Sequence, residues 1–365
     1  MEGDIVLKNE RIDMIRALSE AHGASGFETP VRRLYQSYLE PVSDEIVRDH
    51  FGSVVGKKVG KADGPSILLA GHLDEIGLLT KAITDEGFIK FQTIGGWWSQ
   101  VMLAQRVSIQ TRKGEVIGII GSKPPHLLSA KERDEVVKIK DMFIDIGVSS
   151  KAEAEELGVR PGDPITPISA FVQLGNPNVY MGKALDNRLG CVTAVEVLRA
   201  LRGQEHPNTL FAGATTQEEV GLRGAQTLVN HIKPDISIAL DVGIAGDTPG
   251  IDAYDALSTL GKGPILLIYD GSMIPNPRFR DFIMDTASDA KIPLQVESIA
   301  GGGTDAGRFH IHGSGIPSIA FGCTTRYIHS HAAVYHQEDF DHGVALLAEV
   351  IKRLDQRVLN DLRDL

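Results

Sequence analysis

Four short, compact and mainly apolar runs constrain this chain most: residues 66–70, 209–214, 236–240 and 316–321. A strand with one face in water alternates apolar and polar side chains, so a run without alternation marks a strand covered on both faces. Amphipathic helical stretches lie around them. Ile12, Ile15 and Leu18 share one helical face, Leu189, Val192, Val195 and Leu198 a second, and Val344, Leu347, Val350, Ile351 and Leu354 a third. Alternating helices and doubly covered strands predict an α/β fold with a mostly parallel sheet flanked by helices.

Between residues 78 and 179 the texture changes. Residues 88–92, 107–110 and 115–118 are short β-like stretches parted by Gly-rich or charged turns, and one short helix near 151–157 is closed by Gly158. These features predict a small β-rich domain (78–179) inserted into a discontinuous α/β domain (1–77 and 180–365). A chain of 365 residues also exceeds what one core usually absorbs.

Net charge excludes some functions. The chain carries 37 Lys plus Arg against 48 Asp plus Glu, net −11, with no basic run, which argues against nucleic acid as a partner. No apolar run is long enough to span a bilayer, and Met1-Glu2-Gly3-Asp4 opens without the basic and apolar regions of a signal peptide. The two cysteines, Cys191 and Cys323, form no C-x-x-C pair, so no disulfide framework or zinc knuckle is expected and a reducing cytoplasm is the expected location.

Chemistry-bearing residues gather just after the apolar runs. His72 and Asp74 follow the first, Glu218 and Glu219 the second, Asp241 the third and His329 the fourth, while Asp186 opens the helix of Leu189. In an open α/β sheet, ligands collect outside the carboxyl ends of the strands. Two imidazoles and several carboxylates in one pocket need positive charge, and a mixed His/carboxylate set suits zinc, with cobalt or manganese as further candidates. One ion would take His72 and Asp241 and a second Glu219 and His329, with Asp186 bridging. Ions about 3.5–4 Å apart accommodate such a bridge. In extended chain Glu218 and Glu219 would point oppositely, leaving Glu218 free as a base, and Asp74 would orient His72.

The motifs Gly71-His72-Leu73-Asp74-Glu75-Ile76-Gly77, Ala184-Leu185-Asp186-Asn187-Arg188, Gln217-Glu218-Glu219-Val220-Gly221, Leu240-Asp241-Val242-Gly243, Gly302-Gly303-Thr304-Asp305-Ala306 and Arg326-Tyr327-Ile328-His329-Ser330 resemble, in order, those of the glutamyl aminopeptidase/tetrahedral aminopeptidase family of di-metal peptidases. The resemblance spans nearly the whole chain. It implies one metal on His72, Asp186 and Asp241, the other on Asp186, Glu219 and His329, Glu218 as general base and Asp74 behind His72. It also implies peptide substrates, a cytosolic setting and a homo-oligomeric particle, commonly a tetrahedral dodecamer, built partly through the inserted domain. One departure is His331, where relatives commonly carry proline; with His336 it adds imidazoles near the expected metals. The loop around Gly301-Gly302-Gly303 is expected to set Asp305 or backbone amides against substrate.

Rival readings are an endoglucanase-type glycoside hydrolase, an N-acyl amidohydrolase and an inert metal-stabilised assembly protein. Glycan hydrolysis needs two carboxylates across a sugar bond, whereas these acids are better explained as a metal shell. A purely structural metal would not require Glu218. The preferred N-terminal residue (acidic, basic or neutral) is not legible in the sequence.

Overall fold

In the computed structural model the four apolar runs form the middle of one large sheet. The structure describes residues 2–61, 63–252 and 254–364, so Met1 of the acidic N-terminal stretch lies outside the described residues. In chain order the strands are β1 (Glu45–Arg48), β2 (Val54–Val59), β3 (Ser66–His72), β4 (Gly77–Ile83), β5 (Ile89–Ile94), β6 (Arg106–Thr111), β7 (Gly114–Gly121), β8 (Phe143–Asp145) and β9 (Pro164–Pro167). There follow β10 (Val172–Gln173), β11 (Val179–Gly182), β12 (Thr209–Thr215), β13 (Ile236–Ile244), β14 (Ile265–Tyr269), β15 (Gln295–Ser298), β16 (Ser318–Arg326) and β17 (Ala333–His336).

The large sheet runs β1-β2-β12-β3-β13-β16-β17-β11-β10, with β14 joining β16 and β15. Its centre, β12-β3-β13-β16, is parallel, which brings the carboxyl ends of those strands to one rim. Thr215 of β12 pairs with His72 of β3, and Asp241 of β13 with Gly322 of β16. The mostly parallel sheet expected from sequence is corrected to a mixed one. The β1–β2, β2–β12, β16–β17, β17–β11, β11–β10 and β14–β16 pairs are antiparallel. The connections from β1 to β2 and from β10 to β11 are too short for the crossover a parallel pair requires.

Burial on both faces is visible within β3. Ile67 and Leu69 belong to one core, with Ile12 and Val31 of the first two helices (Glu2–Glu20, Thr29–Leu39), Leu189 of the helix Leu185–Ala200 and Leu347 of the helix Gln337–Arg353. Leu68 and Ala70 face a second core with Leu228 of the helix Arg223–Ile232 and Phe309. Full burial of an Ile or Leu stabilises by about 1.5–3 kcal/mol, so no polar residue is tolerated along this strand interior. At its end Gly71 allows a close crossing: a Cβ there would lie 2.8 Å from the Gly190 carbonyl carbon of the overlying helix. That approach brings the start of the helix, with Asp186, to His72.

Strands β4-β5-β8-β7-β6-β9 close into a barrel around Leu78, Ile89, Val107, Ile109, Ile144 and Ile165. Closure leaves no free strand edge. The short helix Lys151–Glu156 starts at the Ser150 cap, and Gly158 turns the chain away at φ 95°. The barrel strands run from Gly77 to Pro167, whereas β10 pairs within the large sheet. Among the described residues no helix is long and apolar enough to cross a membrane.

Candidate functional site

His72 ends β3 and is 2% exposed. Its Nδ1 meets the Asp74 carbonyl oxygen at 3.1 Å, so in a neutral ring Nδ1–H donates there and the Nε2 lone pair faces inward. Nε2 lies 3.2 Å from Asp186 Oδ1 and 3.8 Å from Glu218 Oε2. His329 follows β16 in a turn where Tyr327 and His329 both take positive φ. Its Nδ1 meets the Gly96 carbonyl oxygen at 2.8 Å, and its Nε2 lies 3.4 Å from both Asp186 Oδ2 and Glu219 Oε2. Each imidazole thus has one nitrogen tied to a backbone carbonyl and the other aimed at carboxylates, the arrangement that fixes a metal-binding tautomer.

Asp186 sits between the two rings. It is held by its neighbour: Asn187 Nδ2 donates to the Leu240 carbonyl at 2.6 Å, bolting the helix start to β13 beside Asp241. The donor atoms form two groups, His72/Asp186/Asp241 and Asp186/Glu219/His329, each within 4.8 Å and both containing Asp186.

Electrostatics show what this cluster lacks. Burial drives Glu219 up to about 8, with the nearby Asp186 charge adding to it. Burial and then Asp186 likewise hold Asp241 well above the carboxylate range. Glu218 is raised by burial and by Asp241, Asp305 and Glu219, against the opposing pull of His72. Burial would lower His72, but Glu218, Asp186 and Asp74 outweigh it and raise the imidazole. The Asp186 hydrogen bond lifts His329 to about 9. Among the described residues, the only cationic partners these four carboxylates find are His72 and His329. A buried acid cluster without Lys or Arg, built from mixed nitrogen and oxygen donors, fits divalent cations of the zinc, cobalt and manganese class.

Residues 52–346 match the family described as M42 glutamyl aminopeptidase. The chain belongs to that family. Membership makes it a peptide-bond hydrolase. It is 48% identical to a TET aminopeptidase from the marine sediment archaeon Thaumarchaeota archaeon SCGC AB-539-E09, with TM-score 0.95 over 97% of this chain and 99% of that one. It is 35% identical to the glutamyl aminopeptidase of Lactococcus lactis subsp. cremoris (strain MG1363), over 97% of this chain and 99% of that protein. The TET1 peptidase of Pyrococcus horikoshii, which can assemble into a tetrahedron or a large octahedral shell, is 30% identical at TM-score 0.83, over 94% of this chain and 100% of that one.

In this M42 family member all seven residues singled out from sequence meet at one rim, but some do so differently from the expectation. Glu218 and Glu219 lie in a turn beyond β12, entered through Gln217 at φ 54°, rather than in extended chain. The Asp74 carboxylate reaches Nδ1 of His72 only at 3.5 Å; its closer partners are the backbone N–H groups of Glu218 (3.0 Å) and Glu219 (3.1 Å) and the Ser25 hydroxyl (2.7 Å). Asp74 therefore also builds the turn that presents the two glutamates. His336 accepts the Glu338 N–H at the start of a helix, and His331 lies in an apolar hollow with Trp98 and Tyr327; neither belongs to a donor group. Asp305 is turned from the cavity toward the Thr215 hydroxyl, whereas Gly301, Gly302, Gly303 and Thr304 line it.

Sequence reasoning missed two supports. Glu28 Oε1 accepts the N–H of Gln217 at 3.1 Å and of Gly26 at 2.8 Å, tying the first interhelical turn to the glutamate turn. Glu75, 2% exposed, accepts Lys183 Nζ at 2.7 Å on both oxygens, with Arg188 at 3.6 Å. Lys183 precedes the Ala184–Arg188 motif, Arg188 ends it and Glu75 lies within the His72 motif; that placement was the signal available in the sequence.

Proposed function

We propose that this chain removes N-terminal residues from peptides with the help of two divalent ions, zinc first and cobalt or manganese as alternatives. His72, Asp186 and Asp241 would hold one ion, and Asp186, Glu219 and His329 the other. The observation that carries the reading is the sharing of Asp186 between two complete donor groups. When bound, the ions supply Lewis acidity that acidifies water and polarises a peptide carbonyl.

The protein's own part is proton handling and positioning. Glu218 stands outside both donor groups yet lines the same cavity. Its carboxylate takes the proton of the attacking water and returns it to the departing amine. Asp74 and Glu28 hold the backbone from which Glu218 projects.

Assembly belongs to the same reading. We propose a homo-oligomeric particle with residues 78–179 as an assembly or lid domain, supported by the shell-forming P. horikoshii relative. The deciding experiment is Glu218→Gln. Metal content by mass spectrometry should stay at two ions per subunit, while turnover of aminoacyl substrates falls by about 10²–10⁴-fold. A variant that keeps full activity refutes the base assignment.

A further inference from the structure

We infer that the cavity beside the donor cluster selects an uncharged, aliphatic N-terminal side chain and discriminates against both acidic and basic ones. The inference rests on the aminopeptidase reading above and deepens it. The cavity is about 900 Å³, and Leu222, Val242, Ile244, Ile299, Ala300 and Ile328 give it its apolar walls.

Among the described residues lining it there is no lysine or arginine. A glutamate or aspartate side chain lying against these apolar walls would lose water and find no lysine or arginine to pair with. Desolvating an unpaired carboxylate costs far more than a hydrophobic pocket returns. The family's glutamyl description is therefore not carried by these walls.

A basic side chain fares no better. Five acids line the cavity: Asp186, Glu218, Glu219 and Asp241 belong to the donor cluster and its base, His72 being their partner, and Asp270 stands apart. With the other four committed to the donor cluster, Asp270 alone could face a lysine ammonium. It is 2% exposed, and its oxygens are engaged: Oδ1 accepts the N–H (2.7 Å) and hydroxyl (2.6 Å) of Ser272, and Oδ2 the Thr304 hydroxyl (2.9 Å). It braces the Gly271–Ser272 turn against the glycine loop, and both its oxygens are already engaged there. A leucine or methionine side chain, by contrast, gains burial against the apolar walls.

The test uses the metal-loaded enzyme and a panel of aminoacyl chromogenic substrates. Leu and Met substrates should exceed Glu and Lys in kcat/KM by at least about tenfold. A second arm reads binding without turnover: calorimetry of leucinamide and glutamic acid amide on the Glu218→Gln protein should give the same order of affinity. A third supplies the missing cation. Ile244 is 41% exposed three residues beyond Asp241, so Ile244→Arg should fold and raise the Glu/Leu ratio at least about tenfold. Charged substrates that are the best in the first arm, or amides that bind in the reverse order, overturn the inference. If no substrate is cleaved, the aminopeptidase reading fails, and the binding arm still decides the selectivity.

Discussion

Loading the metal-free protein with zinc should expel protons in a countable way. Metal ligation requires a carboxylate and a neutral imidazole. Without metal, Glu219 titrates near 8 because it is buried beside Asp186, and His329 near 9 because Asp186 holds its ring. At pH 7 both therefore carry a proton, and filling the Asp186/Glu219/His329 group displaces about two protons. His72 and Asp241 in the other group are also shifted upward and add to the release. The sign follows directly: apparent affinity rises with pH. For the Asp186/Glu219/His329 group the slope approaches about two decades per pH unit near pH 7 and flattens once Glu219 and then His329 have lost their protons. Titration calorimetry in buffers of different ionisation enthalpy reads the proton count as the slope of observed heat against buffer enthalpy. A heat independent of buffer at pH 7 would refute the donor assignment, because groups already deprotonated cannot be these.

Two further outcomes test the supports around the cluster. Lys183→Met leaves the buried Glu75 carboxylate with the Gly23 N–H at 3.1 Å and, as charged partner, Arg188 at 3.6 Å, and should cost about 3–5 kcal/mol, read as a lower urea midpoint; adding Glu75→Gln should recover much of the loss. Glu28→Ala frees the Gln217 N–H and should lower kcat about tenfold with KM and metal content unchanged. Glu28→Gln keeps an acceptor oxygen and should retain most of the activity; equal loss in both variants would rule out the hydrogen bond as the cause.

The parallel centre of the sheet was legible because double-sided burial leaves a direct imprint: Ile67 to Ala70 have no polar partner positions to reveal a wet face. Strand direction at the flanks was not. β1 and β17 are four residues each, too short to carry a distinctive pattern, and their orientation depends on which neighbours they find. The seven site residues were legible because strand ends converge by topology, so residue type and position suffice. How Glu218 and Glu219 are presented was not, since Gln217 adopts a left-handed conformation without a glycine to announce it. Glu28 and the Lys183–Glu75 pair escaped for a related reason. Their partners lie 189 and 108 positions away along the chain, and nothing local to either end specifies the other.

The bond from the His329 ring to the Gly96 carbonyl crosses from the large sheet to the loop that follows the second barrel strand. An engineer who transplants a foreign barrel onto this scaffold must therefore bring a loop of matching length and backbone path at Gly96. Otherwise the imidazole loses its tether and swings, and the graft would be judged inactive for a reason unrelated to how well it folds.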